Sequence, residues 1–101
     1  MRNALFQTVT PVAGATHALQ PTDEFLEVTY TVTGAVSIYT SGLVAGRTIV
    51  IKDAGGNAAV RNITLYDPDG VTPDYVISTN YGTVMLVRNG ANTQWWIVDR
   101  N

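Results

Sequence analysis

The chain has 101 residues, a net charge of −2 and a pI near 5.0, the size of one domain. Six Lys and Arg against eight Asp and Glu give no basic field for nucleic acid, and the absence of Cys excludes a disulfide framework, a thiol nucleophile and cysteine-ligated metal. A composition of 46% hydrophobic and 14% charged residues is that of a folded chain, since disordered chains run the other way.

Thr, Val and Ile make up about a third of the residues, a bias toward strand over helix. The first run of strand character is Leu5 to Val12, closed by Pro11 and Gly14. A small-residue connector, Ala15 to Pro21, carries the lone His17. Phe25 to Tyr30 then alternates, with Leu26, Val28 and Tyr30 on one face, and Thr33-Gly34 marks a turn. Val36 and Ile38 share the inner face of Ala35–Tyr39, and Ser41–Gly46 is a glycine-bounded loop. In Arg47–Lys52, Ile49 and Ile51 point inward while Thr48, Val50 and Lys52 point outward. Asp53-Ala54-Gly55-Gly56-Asn57 is a turn, followed by a strand with Ile63 and Leu65 on its core face. Asp67-Pro68-Asp69-Gly70 has turn chemistry, and Tyr75–Ile77 is a short strand. Asn80-Tyr81-Gly82 leads into Thr83–Arg88, Asn89-Gly90 signals a tight hairpin, and Gln94–Val98 is the last strand.

Short strands separated by close turn signals predict an all-β fold, a small β-sandwich or barrel-like domain of about eight strands. No internal repeat stands out, and no stretch approaches the ~18 apolar residues of a membrane span. The start, Met1 to Gln7, lacks the apolar run of a signal peptide. Residues 1–22 are expected to form an extended N-terminal arm and 23–101 the β-domain. Val50, Met85, Val87, Trp96 and Val98 are apolar at outward positions, which suggests that a partner covers that face.

The order Gly46-Arg47-Thr48-Ile49-Val50-Ile51-Lys52-Asp53, Gly55-Gly56-Asn57-Ala58, Asn62-Ile63-Thr64-Leu65, Tyr81-Gly82-Thr83-Val84, Asn89-Gly90 and Trp95-Trp96 resembles a β-rich domain of tailed-bacteriophage virion proteins. Such domains occur in tail fibres, head fibres and capsid decoration (cement) proteins. The resemblance runs from Asp23 to Val98. It departs at Thr48, where the family often has an aromatic, at Tyr39-Thr40-Ser41 and at Thr72-Pro73-Asp74. It implies a homotrimer about a threefold axis, located in the virion and made in the host cytoplasm. The expected partners are copies of the same chain and the major capsid protein or other virion proteins, with no nucleic acid and no membrane. Leu5, Phe6, Val50, Met85, Val87, Trp95, Trp96 and Val98 are the candidate trimer or capsid interface. A domain preceded only by a short arm points to a capsid decoration protein that stabilises the shell. A receptor-binding tail or head-fibre module contacting host glycans is the alternative.

Catalysis is not expected. His17 is the lone histidine, and no nucleophile-elbow motif accompanies Ser37, Ser41 or Ser78. One His without Cys makes no zinc site. Asp67, Asp69 and Asp74 could offer hard oxygen ligands to Ca²⁺, but no EF-hand glutamate follows, and turn chemistry is the simpler reading. Gly55-Gly56-Asn57 lacks the Lys of a phosphate loop. Asp23-Glu24 is expected to serve a turn. No cofactor and no metal are implied. Adjacent Trp95 and Trp96 face opposite ways in a strand, so one is core and the other meets solvent or a partner, with a sugar platform as a lesser option.

Overall fold

The computed structural model describes residues 9–20, 22–39, 48–66, 70–88 and 95–100; within these, the side chains of 88, 95, 96 and 98–100 are not described. Nine strands lie among the described residues: β1 (Val9–Val12), β2 (Thr16–Ala18), β3 (Phe25–Val28), β4 (Val36–Tyr39), β5 (Thr48–Asp53), β6 (Ile63–Tyr66), β7 (Pro73–Ile77), β8 (Thr83–Arg88) and β9 (Trp95–Arg100). They form two sheets, ordered β1-β3-β5-β8-β9 and β2-β4-β6-β7. The fold is all-β, as its composition predicts; among the described residues a single 3-10 turn, Tyr30–Val32, occupies the place where the sequence predicts the end of a strand at Tyr30.

The winding is unlike that of an antiparallel sandwich. The chain alternates between sheets, so β1, β3 and β5 stack parallel in one and β2, β4 and β6 stack parallel in the other. Parallel neighbours need a long crossover, and here the intervening strand of the opposite sheet supplies it. The result is a coil of three rungs, closed by the antiparallel strands β7, β8 and β9. Val9, Phe25 and Val50 occupy equivalent places in successive rungs at unequal sequence spacings. That inequality hides the structural repeat from the sequence.

One core fills the space between the sheets. Leu26, Ile51 and Val84 form an inward row across one sheet, and Val36, Ile63 and Ile77 form one across the other. Each of these six side chains is buried, worth about 1.5–3 kcal/mol apiece against exposure. The inward assignments of Leu26, Val28, Val36, Ile38, Ile49, Ile51, Ile63 and Leu65 all hold.

Two expectations are corrected. Residues 9–20 of the stretch assigned to an arm supply β1 and β2, the outermost strand of each sheet, and Val12 and Leu19 are buried in the core. His17, assigned to a connector, lies in β2 paired with Ile38. The His17 error has a local cause: β2, a three-residue strand on a sheet edge, has too few residues to display a period. Pro11 is accommodated inside β1 because that strand also lies on an edge. Val12 O accepts from Thr29 N, so the alternate residue Pro11 turns its missing N–H toward the open edge.

Candidate functional site

The connections at 13–15, 29–35, 54–62 and 78–82 all lie along one side of the coil, because β3 and β5 are parallel and β8 runs antiparallel to β5. Asp53 closes β5 on that side and is fully buried. Its Oδ1 accepts from Thr31 Oγ1 at 2.5 Å and from Gly56 N at 3.1 Å, and its Oδ2 accepts from Ala58 N and Tyr81 N, each at 3.0 Å. One carboxylate thus binds three successive connections. Burial pushes its pKa up, but the donors from Thr31, Tyr81, Ala58 and Gly56 outweigh burial and hold it below the ordinary value of 3.8.

The surrounding residues complete this junction. Lys52 Nζ donates to Tyr81 O at 2.6 Å and stands over the Tyr81 ring, 5.8 Å from its centroid. Asn57 Nδ2 donates to Gly55 O, Asn62 Nδ2 to Ala58 O, and Ala59 N to Asn80 Oδ1. The Arg61 guanidinium donates to the carbonyls of Thr31 and Val32. A Cβ at Gly55 would fall 2.8 Å from Thr29 O, and Gly56 has φ +79° with the Tyr81 ring directly against it, so both positions require glycine. Lys52, Asp53, Gly55, Gly56, Asn57, Ala58, Asn62, Tyr81 and Gly82, scattered through the sequence motif, therefore converge on one structural centre.

A second carboxylate lies on the opposite side, between β2 and β3. Asp23 is buried; its Oδ1 accepts from Thr10 Oγ1 at 3.1 Å, and its Oδ2 from Gln20 N at 2.9 Å. His17 Nε2 lies 2.8 Å from the same Oδ2. A carboxylate can only accept, so Nε2 carries the proton. Burial raises the Asp23 pKa, and the bonds from Gln20, His17 and Thr10 outweigh it, leaving the group below 3.8. The backbone bond from Asp23 N to Gln20 O closes the turn expected at this place.

The candidate interface residues divide. Phe25, Val50 and Met85 form an outward row across β3, β5 and β8. Val50 is only 4% exposed, while Phe25, Met85 and Val87 are half-buried. Leu5 and Phe6, and the side chains of Trp95, Trp96 and Val98, lie outside the described residues, as do Asp67, Asp69 and the Asn89-Gly90 turn. Asp74 is half-buried in β7. Among the described residues no cluster of three or more His, Asp and Glu could hold a metal ion. On the outer face of the four-stranded sheet, Tyr39 and Tyr66 stack with ring centroids 5.1 Å apart.

Both buried carboxylates were missed as such by sequence reasoning, and only their local turn character could have pointed to them. Comparison with protein-family models and with curated proteins finds no match for this chain.

Proposed function

We propose that this chain is a structural protein of a tailed-bacteriophage virion, a capsid decoration protein that binds the capsid surface as a trimer and stabilises the shell. The observation that carries the reading is the convergence of the motif residues on Asp53. Lys52, Asp53, Gly55, Gly56, Asn57, Ala58, Asn62, Tyr81 and Gly82, part of the set on which the virion resemblance rests, fix the connections of a β-coil, a role suited to a scaffold. The apolar outward row offers a face for copies of the chain. Because Val50 is already covered within one chain, the area gained on trimerisation would come chiefly from its half-buried neighbours Met85 and Val87. The decorating trimer would bridge capsid subunits and resist internal pressure by adding buried contact area, without catalysis.

Copy number in purified virions tests the reading. Mass spectrometry should find this chain at a stoichiometry comparable to the major capsid protein; absence from virions would sink it. The stacked Tyr39–Tyr66 pair favours a second reading, a tail or head-fibre module that contacts host glycans. A copy number far below that of the capsid protein, with glycan binding lost in Tyr39→Ala, would select that alternative.

A further inference from the structure

We infer that the side of the coil formed by 29–35, 54–62 and 78–82 is the capsid-docking surface, and that it receives an apolar patch of the capsid protein carrying a carboxylate opposite Arg61. This inference rests on the decoration reading above.

Three apolar side chains project from these connections: Val32 is 61% exposed, Val60 82% and Tyr81 59%. Exposed apolar groups on a slack loop would be unremarkable, but these are held in place. Asp53 ties all three connections together, Arg61 ties the third-rung connection to the carbonyls of the second, and Ala59 N binds Asn80 Oδ1 across to the last. Binding through preorganised groups loses little conformational entropy, so rigid exposed apolar groups are what an interface needs.

Charge identifies the partner. The chain is net acidic, yet these three stretches contain no Asp or Glu, and Arg61 is their one charged residue. Beside them, Lys52 reaches Tyr81 from the outer sheet face, where its neighbour across the strands is Glu27. Lys52 thus shares its sheet face with Glu27, its register partner, while Arg61 bonds only to carbonyls among the contacts described, and its guanidinium favours a carboxylate. A membrane surface would call for a cluster of cations. A sugar would need a free aromatic face, but Lys52 stands over the Tyr81 ring and Gly56 lies against it. An apolar protein surface with an acidic group fits both features.

The test uses virion assembly in cells that supply full-length variants in place of the wild-type chain. Val60→Asp and Val32→Asp should lower copy number per virion by roughly tenfold or more, as loss of an interface anchor does. Val71→Asp, at a site 77% exposed on the opposite side, should assemble as wild type. Val60→Lys should retain more binding than Val60→Asp, because a cation there faces an acidic partner. Unchanged thermal midpoints in the purified variants separate docking from folding. Wild-type copy number in Val32→Asp and Val60→Asp virions would overturn the inference while leaving the decoration reading intact. Equal losses in Val60→Lys and Val60→Asp would overturn the acidic partner. Absence of the wild-type chain from virions would overturn both the reading and this inference.

Discussion

Thr31 Oγ1 donates a 2.5 Å hydrogen bond to Asp53 Oδ1, joining the 3-10 turn of one rung to the end of a strand in the next, with both residues fully buried. Asp53 extends the inward alternation of Ile49 and Ile51 in β5, and Thr31 supplies the buried hydroxyl that meets it. A buried carboxylate is tolerated only with its acceptor capacity filled, and Asp53 fills it with one hydroxyl and three backbone donors.

Asp53→Ala should therefore be among the most damaging single substitutions. It strands Thr31 and the Gly56, Ala58 and Tyr81 amides without their acceptor, and the expected loss is about 3–5 kcal/mol. Thr31→Val keeps the volume but removes one donor, so it should cost less, about 1–3 kcal/mol. Urea unfolding of both variants measures the difference; equal losses would contradict the shared-acceptor account.

Acid should destabilise the fold through Asp23 and Asp53. Both are held below their ordinary value of 3.8 in the folded chain. Their stabilisation is fully present above that value. As pH falls below it, the unfolded chain takes up protons that the folded chain refuses, and stability drops until the folded groups themselves titrate. Unfolding free energy should thus be flat in these groups between about pH 5 and 7 and decline below about pH 4. Asp53→Asn should reduce the slope of that decline, as measured by denaturation at a series of pH values.

Asp23 should govern a local unit of stability. It gathers Thr10 from β1, His17 from β2 and the Gln20 amide. Asp23→Ala should raise hydrogen exchange in β1 and β2 far more than in the central strand β5. A uniform rise across all strands would show that the first rung is not a separable unit.

Backbone space should be equally decisive at 55 and 56. Gly55→Ala meets Thr29 O, and Gly56→Ala is strained at φ +79°. Each should cost about 1–3 kcal/mol and lower the thermal midpoint. Leu26→Ala, which empties a fully buried site between the sheets, should cost about 2–5 kcal/mol. Calorimetry on the three variants gives the comparison, and an unchanged midpoint for Gly55→Ala would refute the close approach to Thr29.

Alternation of apolar and polar residues was enough to place most strands and their inward faces. Ile49 and Ile51, Ile63 and Leu65, and Val36 and Ile38 are legible as core pairs from alternation alone, because a strand's two faces differ in sequence whatever its neighbours are. The turn at Asp53–Asn57 was legible from its glycines. Pairing was not. A strand reads the same whether its neighbour runs parallel or antiparallel, and rungs joined by connections of unequal length leave no constant period. Only the tertiary structure decided that Asp23 and Asp53 are buried centres. Their donors come from residues as distant as Tyr81, and a carboxylate's environment is set by what the fold brings to it.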